Sequence, residues 1–184
     1  MSRAAMIVVL GEDSRKRQQD LIRKYLKKRG FADRQIRDLP CPAGETPGIS
    51  FVFARYAVEA HDLRVASYSR GLIVVMDADE ETVATRKVQL DEKLTEAGED
   101  ARKEQEAIAI VVPKRNVETW IWYLHGNTVD ESTEYKRSFV KDNHDMAAAK
   151  VAFAEFVVSG QAPWDDCPPS LQDARSELLR IPHK

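Results

Sequence analysis

The chain has 184 residues, a formal net charge of −2, two cysteines and 32% charged residues. That length suits one domain, or one domain with a helical extension, around a sizeable core. The near-neutral balance excludes a global basic field that would announce a nucleic-acid partner, two separated cysteines argue against a disulfide scaffold, and no apolar run approaches the roughly 20 residues of a membrane span. With no signal peptide ahead of the first apolar run, the expected compartment is the cytoplasm.

Met6 to Leu10 is a continuous apolar run of the kind expected for a buried parallel strand. Asp13 or Ser14 caps the helix that follows, with Leu21, Ile22, Tyr25 and Leu26 as its apolar stripe and Gly30 as its stop. A weak strand follows near Gln35 to Leu39, then a loop rich in Pro and Gly from Pro40 to Gly48. Ser50 to about Tyr68 reads as a helix with Phe51, Val52, Tyr56, Val58 and Leu63 partly on one side. Gly71 to Met76 is a second buried strand, Glu80 to Ala97 a charged surface helix, and Ala107 to Val112 another strand stopped by Pro113. An aromatic-rich helix runs from Arg115 to Leu124.

After Gly126 the alternation stops. Val129 to Arg137 is polar and loop-like, and His144 to Val158 is a helix with Ala149, Phe153, Phe156 and Val157 inward. A last helix opens at Pro168-Pro169-Ser170 and carries Leu171, Ala174, Leu178 and Ile181. The expected architecture is therefore a layered α/β core over 1–126 and a C-terminal helical extension over 127–184 packed on it. The core is Rossmann-like, a mainly parallel sheet of about four strands between helices.

Two acidic clusters sit where strands should end. Ile7 to Leu10 runs into Gly11-Glu12-Asp13, and Leu72 to Met76 runs into Asp77-Ala78-Asp79. In open α/β sheets, chemistry gathers outside the carboxyl ends of the strands. Carboxylates on two such ends can converge on one hard divalent cation, Mg²⁺ or Mn²⁺, and so serve phosphoryl or phosphodiester chemistry. The plainer reading of Asp79 is a helix cap before Glu80.

A Glu in the loop after the first strand followed by Asp-x-Asp after a later one resembles the Toprim fold of topoisomerases, primases and overcoming-lysogenization-defect (OLD) nucleases. The resemblance covers roughly Met6 to Leu124. It is closest to the compact Toprim-like proteins of bacterial defence loci, such as the RloB-like group. Those tend to carry a Pro, a polar stretch and Glu-x-Trp after the next strand, here Pro113 to Trp120 with Glu118. The resemblance implies Glu12 as acid/base, Asp77 and Asp79 as metal ligands with Glu12 in the shell, and Glu118 as an accessory carboxylate. Many OLD-type members have Glu-Gly after the first strand, whereas Gly11 precedes Glu12 here, which leaves Asp13 as an alternative to Glu12.

Lys114 and Arg115 follow a strand and suit contacts to phosphate, Lys114 within the catalytic set; the plainer reading is a solvated basic pair. Gly44 to Gly48 offers an anion cradle or a plain loop, with Arg55 just beyond it. From Ser14 to Arg37 there are ten Lys/Arg against two Asp/Glu, and Arg17, Lys24 and Lys28 share one helical stripe that could track a nucleic-acid backbone or simply be solvated. Trp120, Trp122 and Tyr123 read as core packing ahead of base stacking. The four histidines are scattered, so zinc is not supported.

The leading expectation is a metal-dependent Toprim-like nuclease of bacterial anti-phage defence. The first rival is a catalytically degenerate Toprim-like subunit that partners a larger ATPase. The second is a receiver-like phospho-acceptor domain with Glu12, Asp13 and Asp77 in its acidic places.

Overall fold

Apolar runs form four strands, β1 (Met6–Gly11), β2 (Ile36–Leu39), β3 (Arg70–Val75) and β4 (Ile108–Val111), in the computed structural model, which describes residues 6–12, 17–39, 41–42, 48–136 and 143–182. All pairings are parallel and the strand order is β2-β1-β3-β4. The helices are α1 (Arg17–Lys28), α2 (Ile49–Val65), α3 (Val83–Glu96), α4 (Val117–Leu124), α5 (Asn143–Ser159) and α6 (Pro169–Leu178). The fold is α/β, a Rossmann-like core with additional C-terminal helices.

Alternate residues of each strand point to opposite faces of the sheet. Ile7, Val9, Ile73, Val75, Ala109 and Val111 form one core with α1, α4, α5 and α6. Val8, Leu10, Leu72, Val74, Ile108 and Ile110 form the other with α2 and α3. The chain runs outward from β1 to β2, then returns across β1 to β3 and on to β4. A constant crossover hand requires the connecting helices to change faces at that reversal. They do: α1 lies on one face, α2 and α3 on the other.

The stripe Leu21, Ile22, Tyr25 and Leu26 is buried, as are Ala149, Phe153, Phe156 and Val157 of α5 and Leu171, Ala174, Leu178 and Ile181 around α6. Gly30, at φ +88°, ends the turn after α1 and donates its N–H to the Lys27 carbonyl. Three expectations need correction. The surface helix begins at Val83, where the Thr82 hydroxyl accepts the Thr85 N–H, so Asp79 is not its cap. Val58 is 45% exposed and does not join the apolar side of α2. The aromatic helix starts at Val117, two residues later than its sequence suggests. Trp120 and Tyr123 are core residues; Trp122 stacks on Tyr135.

The Asp13/Ser14 cap, the Gly44 to Pro47 cradle and the side chains of His144 and His183 lie outside the described residues. Cys41 and Cys167 are not joined to each other by a disulfide. Among the described residues no helix is long and apolar enough to cross a membrane.

β4 is an edge strand, and an open edge leaves N–H groups unpaired. Glu177 of α6 meets one of them, accepting the Ile110 N–H at 3.0 Å. The same carboxylate pairs with the Arg102 guanidinium and with Lys87 Nζ at 2.9 Å. Burial by itself would raise its pKa. Arg102, the Ile110 N–H and Lys87 outweigh burial and pull it from the usual 4.5 down to about 2. A depressed carboxyl contributes stability at neutral pH that is lost as pH falls through that interval. E177Q is expected to cost about 3 kcal/mol at pH 7, and the gap from the native chain should close between pH 4.5 and 2 in denaturant titrations. An E177Q protein of native stability at pH 7 would contradict this.

Candidate metal centre

β1 and β3 pair in register up to Gly11 opposite Val75, and the Glu12 N–H reaches the Val75 carbonyl at 3.3 Å. The two strands thus end side by side at the point where the strand order reverses. Crevices form there because the flanking connections leave in opposite directions. Glu12 follows β1 directly, and Asp77 stands two residues after β3.

The two carboxylates are tied together. Glu12 Oε1 accepts the Asp77 backbone N–H at 2.6 Å. Gln18, in the first turns of α1, donates Nε2 to Asp77 Oδ1 at 2.8 Å and to Glu12 Oε1 at 3.4 Å. Gln18 is 1% exposed, and its Oε1 is buried without a hydrogen-bond partner. The neighbouring Gln19 is also buried and packs on Gly11, where a Cβ would lie 2.4 Å from its Nε2. A larger residue at position 11 would therefore displace the Gln19 side chain from this place.

Asp79 is held by its backbone. The Ala78 N–H donates to the Pro113 carbonyl at 2.8 Å and the Asp79 N–H to the Arg115 carbonyl at 3.0 Å, so the loops after β3 and β4 stay paired beyond the strands. Both residues take left-handed conformations, Asp79 at φ 52° and Arg115 at φ 68°. Such a conformation costs a non-glycine residue about 1–3 kcal/mol, and strain of this kind clusters at functional sites. The Asp79 side chain is 64% exposed, 3.9 Å from the Arg86 guanidinium.

Glu118 lies in the first turn of α4, where a carboxylate suits the helix dipole. It is 3% exposed and ion-paired with Arg17. Burial pushes Asp77 well above the usual carboxylate range, and the charges of Glu12, Glu118 and Asp79 push the same way. Burial also raises Glu12; the Asp77 N–H opposes the rise, and Asp79 adds to it. The strand ends therefore hold more negative charge than their hydrogen bonds compensate.

Hard carboxylate oxygens at such a place, beside a buried amide oxygen without a partner, fit a divalent cation. Glu12 and Asp77 form the pair, with Asp79 and Glu118 on its flanks. Among the described residues no three His, Cys, Asp or Glu side chains are gathered into a ready ligand set. Asp79 would have to turn from Arg86 toward Asp77 to join one.

The basic candidates are engaged elsewhere. Arg17 turns to Glu118, so it does not share an outward stripe with Lys24 and Lys28. Lys24 is exposed, and Lys28 bridges to Glu155 of α5. Arg55 pairs with Glu59 on its own helix at 2.8 Å. Lys114 Nζ donates to the Glu81 carbonyl, and Arg115 pairs with Glu80 at 2.7 Å beside Asp79. Sequence reading passed over Gln18 and Gln19. The signal was present: both fall at helical spacing from Ile22, Tyr25 and Leu26, on a face that should be apolar. Compared with family models, curated proteins and solved structures, the chain matches none of them.

A carboxyl raised by burial and like charges opposes folding at neutral pH. The penalty is absent below the unfolded value near 4 and grows as pH rises above it. D77N, nearly isosteric and uncharged, is expected to raise the cation-free melting temperature by a few degrees at pH 7. The gain should shrink toward pH 4. Thermal melts across that range test the sign, and a D77N protein less stable than the native chain at pH 7 would refute it.

Proposed function

We propose that this chain is a divalent-metal-dependent, Toprim-like phosphodiesterase that cleaves nucleic acid. The observation that carries the reading is the joining of Glu12 and Asp77 at the reversal point of the sheet, with charge left uncompensated there. Asp77 and Asp79 would hold Mg²⁺ or Mn²⁺, with Glu12 alongside and Glu118 as the accessory carboxylate. A cation so held neutralises charge developing on a phosphoryl group and makes bound water a better nucleophile.

The chain's own residues do the rest. Glu12 is a raised carboxyl, which suits proton transfer closer to neutral pH than a free glutamate allows. Its Oε1 is fixed by the Asp77 N–H, which orients the carboxyl to hold or pass a proton. Lys114 and Arg115 stand on the loop that pairs with the Asp77–Asp79 segment, where they would exchange the Glu81 carbonyl and Glu80 carboxylate for phosphate oxygens. Lys24, Lys28 and Arg55 would steer the polyanion. The setting proposed is the bacterial cytoplasm, in defence against phage.

One observation favours a second reading. Arg17 already neutralises Glu118, and Gln18 already fills the space between Glu12 and Asp77, as in a degenerate subunit that binds a larger ATPase. The receiver-like alternative is weaker: Asp77 does follow the third strand, but its carboxyl is held by Gln18 and raised well above the usual carboxylate range, a poor phosphate acceptor.

The test is incubation of purified protein with plasmid, single-stranded DNA and RNA in Mg²⁺ or Mn²⁺. Cleavage should fall at least about 100-fold in E12Q and in D77A of verified fold. Cleavage retained by a folded D77A protein refutes the assignment. No cleavage by any form transfers the reading to the ATPase-partner subunit, which co-purification would then show.

A further inference from the structure

Gln18 is enclosed at the strand ends, 1% exposed. Its Nε2 faces two carboxylate oxygens, which identifies that atom as nitrogen, since an oxygen there would be repelled by both. The assignment leaves Oε1 buried and unpartnered. Gln19 Oε1 is unpartnered as well, but Gln18 is the amide that hydrogen-bonds to Glu12 and Asp77, and a buried unpartnered oxygen on that side chain marks an ion or water site, or a second state of the side chain. The terminal torsion of glutamine is broad and roughly two-fold, and the oxygen and NH₂ ends have nearly the same shape. Rotation of the amide therefore exchanges them without repacking α1.

We propose that Gln18 is a cation-responsive ligand: its NH₂ group holds Glu12 and Asp77 together when no cation is present, and its Oε1 turns to join the ligand set when a divalent cation enters. The inference rests on the metal-centre reading given above. Each orientation is favourable in only one state. Without a cation, the NH₂ end is the one that two carboxylates attract. With a cation beside them, its N–H dipoles point the wrong way and the carbonyl oxygen is the hard donor the ion takes. Gly11 leaves room for the Gln19 side chain beside Gln18, and both amides are buried there. Gln18 supplies the oxygen that the present set lacks, since Asp79 faces Arg86 and Glu118 faces Arg17.

The experiment is Mg²⁺ and Mn²⁺ binding to the full chain by calorimetry, comparing native, Q18M, Q18E and D77N proteins of verified fold. Q18M keeps the volume and removes both polar atoms; it is expected to weaken binding by about tenfold or more. Q18E keeps an oxygen donor but loses the NH₂ group; it should bind at least as tightly as the native chain yet melt at a lower temperature without cation. The Gln18 side-chain amide resonance, identified by its loss in Q18M, should move on Mg²⁺ addition. Native-like affinity in Q18M, or weaker binding by Q18E, overturns the role of Gln18 while the metal centre stands if D77N abolishes binding. Failure of the native chain to bind either cation overturns both.

Discussion

Parallel pairing of β1 with β3, in register from Met6 opposite Arg70 to Gly11 opposite Val75, fixes where everything else at this edge stands. The strand order reverses across that pair, so α1 leaves toward one face and α2 and α3 occupy the other. A one-residue slip would turn every side chain of β1 to the wrong core and would carry Glu12 away from the Asp77 N–H. The burial of Ile7 and Val9 on one face, and of Val8 and Leu10 on the other, thus also sets the position of the acidic pair.

Three groups of buried or half-buried acids show what compensation does. Glu177 is met by Arg102, Lys87 and a strand N–H, and its carboxyl is strongly acidic. Glu59 is met by Arg55 and Arg70. Both bind helix to sheet and have no charge left over. At the strand ends, Glu12 and Asp77 are met by one backbone N–H and one neutral amide, and both carboxyls are raised. Ion pairs that hold a fold minimise such imbalance; at the strand ends it remains, and the proposed cation would relieve it. The contrast lies within one molecule, so it does not depend on any likeness to another protein.

The left-handed backbone at Asp79 and Arg115 belongs to the same economy. Their N–H and carbonyl are joined, which extends the β3–β4 pairing past the strands and aims the two loops over one edge. Arg86 and Arg115 stand near Asp79, and Arg17 near Glu118, so the rim carries positive charge around a negative centre. That distribution is compatible with the proposed approach of a phosphate chain, and it arises in a protein whose net charge is only −2.

The sequence by itself determined the strands, the helices and the two acidic ends, because β-branched runs, helical stripes and turn residues act over short distances. Val8-Val9-Leu10 before Glu12, and Ile73-Val74-Val75 before Asp77, were sufficient to place carboxylates at strand ends. The apolar face of α5 was equally plain in Ala149, Phe153 and Val157. Only the tertiary structure decided which ends are neighbours, since strand order is set by long-range packing and not by local pattern. It alone turned Arg17 inward to Glu118 and Lys28 across to Glu155, because an ion pair depends on what another element presents. It also made Gln18 a bridge: an amide on an apolar face is visible in the sequence, but its partners lie 6 and 59 residues away and meet it only after the sheet has formed.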